Sequence, residues 1–249
     1  MKKLGFVIMV LLGLAGSAFL VACQNQPKAT PASIARGGLI YDKWWKVVEG
    51  AVEPKDNQAL WASQTTNTRK GPDTWRCKEC HGWDYKGKDG AYGKGSHLTG
   101  FSGVLTASLN KTNAQLADAL KGKTDSRHNF ASLLGETGMS DVVNFLKEGL
   151  VDDSKYIDYS AKKPIGANVS RGQELYGKSC VACHGADGKL ILFDGKDSLG
   201  FLANDNPWEV FHKIRSGQPG TAAMPAAITG GWSVQDAVDV LGYTQTLPK

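Results

Sequence analysis

Two pentapeptides constrain this chain more than any other feature: CKECH at 77–81 and CVACH at 180–184. They use four of the five cysteines. One zinc ion held by all four thiolates is chemically possible, but it leaves the histidine behind each pair without a task. A dithiol cycle calls for a βαβ setting, and neither copy sits in one. A disulfide framework rarely places every cysteine at a single spacing. Covalent haem uses every residue. Two thiols three apart reach the two vinyl groups as thioethers, and the adjacent histidine lies below the iron.

The surroundings of the two motifs also repeat. "ARGGLIYDKWW" (35–45) matches "SRGQELYGKSC" (170–180), pairing Arg36, Gly37, Tyr41 and Lys43 with Arg171, Gly172, Tyr176 and Lys178. The motif cysteines are less far apart than these helix starts, so the first half carries an insert at about 44–75, containing the turn-rich "EPKDNQ" and "TRKGPD". Beyond the motifs, "NPWEVFHKIRSG" (206–217) reads as a helix, with Asn206 as cap, Pro207 in the first turn and Gly217 as stop. "NAQLADALKG" (113–122) is its counterpart. The final helices, 140–149 and 233–243, match when Asp141 is paired with Asp236.

With these motifs the chain resembles the c-type cytochromes, as two cytochrome c domains in tandem. The fold expected is mainly α: two small cytochrome c-like helical domains, 34–160 and 161–249, the first with its loop-rich insert before the haem motif. The resemblance implies two covalently bound haem c groups, on Cys77 and Cys80 and on Cys180 and Cys183, with His81 and His184 as iron ligands.

The second axial ligands are harder to place. Past residue 23 the only methionines are Met139 and Met224. Met224-Pro225 resembles the Met-Pro ligand loop of cytochromes c, and a thioether there favours ferrous iron and raises the potential. In the first half His128 falls in the equivalent slot, within one residue of the register set by its flanking helices. A bis-histidine pair of His81 and His128 is therefore expected, with Met139 an apolar residue at the start of the last helix. His97 is the rival ligand, in a Gly-rich stretch that the second half lacks. His212, within "WEVFHKIR", is expected to be a satisfied surface histidine. Trp44, Trp45, Trp61, Trp75 and Trp83 are expected to cover the first haem and hold the insert against it. Arg69, Lys70 and Arg76 are candidate partners for haem propionates.

Lys2 and Lys3 precede an apolar run from Leu4 to Ala22, which reads as a signal peptide over 1–22. "LVAC" (20–23) resembles the lipobox of bacterial lipoproteins, which implies a lipid on Cys23 and a tether over 23–33. The formal charge of +5 falls to +3 once Lys2 and Lys3 are removed. That mild charge, with no Lys/Arg-rich run, excludes nucleic acid as a partner. The reading that follows is a dihaem electron carrier held by a lipid on the periplasmic side of the inner or outer membrane, or at the cell surface. It would pass electrons between a redox protein donor and acceptor. The alternatives are a dihaem enzyme, peroxidase-like or sulfur-compound-oxidising, and a cytochrome subunit of a larger respiratory complex.

Overall fold

The computed structural model describes residues 29–220 and 224–249. The expected signal peptide and Cys23 lie outside the described residues. The chain becomes helical at Pro31, inside the segment expected to be a tether. Thr30 caps this first helix, its hydroxyl accepting from the Ser33 amide at 3.1 Å, and Pro31 supplies the first helical position.

The described residues hold ten α-helices. In the first half these are α1 (Pro31–Lys43), α2 (Cys77–His81), α3 (Leu105–Asn110), α4 (Asn113–Leu120) and α5 (Ala131–Asn144). The second half has α6 (Val169–Ser179), α7 (Val181–His184), α8 (Leu199–Asp205), α9 (Pro207–Ser216) and α10 (Val234–Thr244). A two-stranded antiparallel ribbon, β1 (Ile157–Asp158) and β2 (Lys163–Pro164), lies between the halves in sequence. Among the described residues, no helix is long and apolar enough to cross a membrane.

Local chemistry sets the helix ends. Thr112 and Gln115 form a capping box on α4, and Ser233 and Asp236 form one on α10. Asn206 caps α9 and Gly217 ends it in the left-handed region (φ 88°). The last helix of the first half departs from expectation. It starts at Ala131 rather than 140, kinks at Gly135 and continues into a π-helical turn over Phe145–Gly149. Met139 therefore lies within the helix rather than at its start, and is buried in the first core.

Within each half the first and last helices cross at a glycine. A Cβ on Gly37 would stand 2.0 Å from the Asp141 carbonyl oxygen, and one on Gly172 would stand 2.0 Å from that of Asp239. Only a residue without a side chain permits so close a crossing. The carboxylates repeat the pattern: Ser33 donates its hydroxyl to Asp141, and Asn168 donates its amide to Asp239 at 2.8 Å. At the crossing Asp141 corresponds to Asp239, one helical turn beyond Asp236. In the ion pairs it corresponds to Asp236, as expected: Arg36 binds Asp141 and Arg171 binds Asp236.

Apolar side chains gather in two clusters. One contains Ile40, Tyr41, Trp44, Leu116, Leu134 and Phe145; the other contains Tyr176, Trp208, Phe211, Val238 and Leu241. The second also includes Trp83 and Tyr92, from the loop after the first motif. Trp83 is fully buried there, against the His212 ring at 4.9 Å.

Candidate haem-binding sites

Each C-x-x-C-H motif forms one short helix, stopped at the next residue by a left-handed glycine, Gly82 (φ 79°) or Gly185 (φ 78°). A buried tyrosine from the first helix of the same half secures each stop. Tyr41 donates its hydroxyl to the Gly82 carbonyl at 2.7 Å, and Tyr176 does the same to Gly185 at 2.7 Å. The sequence repeat had paired these tyrosines without showing what they do. The four motif cysteines are free. Burial pushes the Cys77 and Cys80 thiols up to about 12 and Cys180 up to about 11, unfavourable for thiolate chemistry. Among the described residues no group of three or more His, Cys, Asp or Glu side chains is arranged to hold a metal ion.

At the first motif, His81 and His128 line one slot with Cys77 and Cys80. Their ring centres are 6.2 Å apart. Two metal–imidazole bonds of about 2 Å each, plus the half-width of each ring, span that gap. Both rings are anchored through Nδ1, His81 on the Ser102 carbonyl at 2.7 Å and His128 on the Ala119 carbonyl at 3.1 Å. A histidine whose Nδ1–H is donated to a carbonyl keeps Nε2 free as a ligand in a fixed orientation. Burial lowers the His81 pKa to about 4, so that ring is neutral, as a ligand must be. The donor set fits haem. The slot's volume, about 50 Å³, is small for a macrocycle.

The insert builds much of that slot. Gln58, Leu60, Thr74 and Trp75 all line it. Gln58 locks the insert in place: its amide donates to Thr74 Oγ1 at 2.8 Å and its Nε2 to the Arg127 carbonyl at 2.7 Å, one residue from His128. Sequence reasoning did not find Gln58, because a polar residue in a turn-rich stretch carries no signal of burial.

The second motif faces a cleft of about 480 Å³, within the roughly 300–1,000 Å³ that accommodates a cofactor-sized ligand. Cys180, Cys183, His184 and Met224 all line it, with Ile191, Phe193, Leu199, Val210 and Ile214 as apolar walls. This donor set fits haem as well. The His184 Nδ1 is buried without a hydrogen-bond partner, and burial lowers the pKa of the ring. Cys183 is exposed, where Cys80 is half-buried.

The remaining candidates fall elsewhere. Met139 does not line the first slot. His97 stacks on Tyr92 at 4.2 Å, with Nδ1 3.5 Å from Glu79, and is also off the slot. His212 is not a surface residue. It is buried between the halves, with Nδ1 2.8 Å from the Tyr85 hydroxyl and Nε2 3.1 Å from the Gly38 carbonyl. Burial lowers its pKa to about 3.

Of the five clustered tryptophans only Trp75 lines the slot. Trp44 and Trp45 pack in the first core, Trp61 donates to the Arg69 carbonyl within the insert, and Trp83 packs against the second half. Arg69 pairs with Glu79 at 3.1 Å. Arg76 pairs with Asp42, which also accepts from Lys213 at 2.9 Å. Burial alone would raise the Asp42 pKa, but Lys213 and Arg76 outweigh it and hold the carboxyl well below its ordinary value.

Residues 167–243 match the family described as Cytochrome C oxidase, cbb3-type, subunit III. That stretch spans the second motif and its helices. The match is to a c-type cytochrome domain, which supports a c-type cytochrome carrying covalently bound haem c and acting in electron transfer.

Proposed function

We propose that the chain is a dihaem c-type cytochrome, two cytochrome c domains in tandem, that carries electrons between redox proteins outside the cytoplasmic membrane. The observation that carries this beyond the matched segment is the pair of anchored imidazoles, His81 and His128, 6.2 Å apart beside Cys77 and Cys80. It is supported by the tyrosine-to-glycine hydrogen bond and the glycine crossing that recur in both halves. When bound, haem c supplies a one-electron iron couple. His81 and His128 would hold the first iron from both sides, and His184 and Met224 the second. Side chains holding each iron in this way would leave no substrate site on it, which favours a carrier over a peroxidase-like or sulfur-compound-oxidising enzyme. A thioether from Met224 would raise the potential of the second site above that of the first, so electrons would run from the first half to the second. Cys23 would carry the lipid that holds the protein to the inner or outer membrane, or at the cell surface.

The test is a mass and an absorption and EPR spectrum of the protein made with haem-attachment machinery. Two haems per chain, both low-spin, are expected. His128→Ala converts the first to a high-spin signal and leaves the second unchanged. A first haem unmoved by this substitution transfers the ligand role to another residue and removes the bis-histidine assignment.

A second reading, a cytochrome subunit of a larger respiratory complex, is favoured by the matched family, whose printed description is an oxidase subunit. Purification from native membranes separates the two, since a subunit travels with its complex and a free carrier travels alone.

A further inference from the structure

Two side chains that line different sites meet on one carboxylate. Arg76 directly precedes Cys77 and lines the first slot; Lys213, on α9, lines the second cleft. Asp42 lies near the end of α1 and is 1% exposed. Its Oδ1 accepts from the Arg76 guanidinium, and its Oδ2 accepts from Lys213 Nζ at 2.9 Å. Arg76 Nε also donates to the Asp42 backbone carbonyl at 3.0 Å. The Trp83 ring packs beside both cations, 5.8 Å from the Arg76 guanidinium carbon and 5.3 Å from Lys213 Nζ.

We infer that Asp42 is a counter-charge shared by the two haem sites, which couples their potentials and fixes the first motif against the wall of the second cleft. The inference rests on the dihaem reading and goes beyond it by assigning a residue that ligates neither metal. Each of the other acidic partners makes an ion pair with one of the two cations only. Asp73 pairs with Arg76 at 3.4 Å, and its side chain is half exposed, so solvent screens it. Glu209 lies 3.8 Å from Lys213 and sits on the same helix. Gln218 also accepts from Lys213 but carries no charge. Ferric iron carries one more positive charge than ferrous iron, so each potential follows the charge around it. Neutralising Asp42 removes the buried negative charge that each of these cations shares, leaving Arg76 with Asp73 and Lys213 with Glu209.

The experiment is a redox titration of the full haem-loaded chain, resolving the two haems by their spectra. Asp42→Asn is expected to raise both midpoints, each by about three- to tenfold in the reduction equilibrium, tenfold being about 59 mV for one electron. Lys213→Met should act with the opposite sign, lowering the second midpoint most, and the double variant should bring the second back towards its starting value. A residue that only holds the fold together would not give opposite signs. If Asp42→Asn does not take up haem, Lys213→Met decides alone: a fall in the first midpoint as well as the second supports the coupling, and a change confined to the second haem, or none, overturns it. A shift confined to one haem in Asp42→Asn also overturns it. One haem per chain by mass overturns the dihaem reading and this inference together; two haems with uncoupled midpoints overturn this inference alone.

Discussion

The slot at 77–81 and the cleft at 180–184 begin from the same five-residue chemistry and end with different walls. Around His184 the walls come from helices of the same half, and they leave about 480 Å³ and an exposed Cys183. Around His81 the insert closes in, so the space is about 50 Å³ and both motif cysteines are half-buried. The motif specifies bonds to a cofactor, whereas solvent access depends on residues brought in from elsewhere in the chain. The difference matters for a redox centre, because dryness and axial ligand together tune its potential. The first half has the smaller site, lined by two imidazoles, and the second has the larger site, lined by an imidazole and a thioether.

The largest expected effect comes from removing the element that joins the halves. Trp83→Ala deletes a fully buried ring lent by the first half to the second core, at a cost of about 3–5 kcal/mol. Denaturant unfolding followed separately at each haem should then split into two transitions. If the transitions stay coincident, Trp83 is not what couples the halves.

Next is the wall that distinguishes the slot. Gln58→Ala removes the acceptor for the Leu60 amide and the donor to Arg127, leaving buried groups unsatisfied at about 1–3 kcal/mol. Hydrogen exchange should rise across the insert and around His128, with the second half unaffected. Uniform loosening of both halves would mean the insert is not a local wall.

The smallest effect tests what the halves share. Tyr41→Phe and Tyr176→Phe each remove one buried hydrogen bond to the glycine after the motif, at about 0.5–1.5 kcal/mol. Equal losses in thermal denaturation would sharpen the equivalence of the two turns. A loss in only one half would break it.

Much of the helical plan was legible along the chain. Asn206, Pro207 and Gly217 mark the two ends of α9 by local hydrogen bonding and backbone freedom, which need no tertiary context. The start of α5 was not legible: the helix begins at Ala131 and passes through a kink at Gly135, a residue that reads as a break in sequence. The pairing of Asp141 with Asp236 holds in the ion pairs to Arg36 and Arg171, but the crossing at Gly172 uses Asp239, and two aspartates a turn apart look alike in sequence. His212 misled because a histidine among charged neighbours reads as surface, yet α9 turns that position onto the other half.

Taken alone, the order of residues determined the bonding chemistry, because two thiols and an imidazole within five positions carry their reactivity with them. It also brought His128 and Met224 forward by register. Tertiary structure decided that His128 and not His97 faces His81, that one site is small and the other large, and that Asp42 accepts from one residue lining each. Those outcomes depend on contacts between residues as far apart as Asp42 and Lys213, 171 positions along the chain, and no local pattern encodes which distant surfaces will meet.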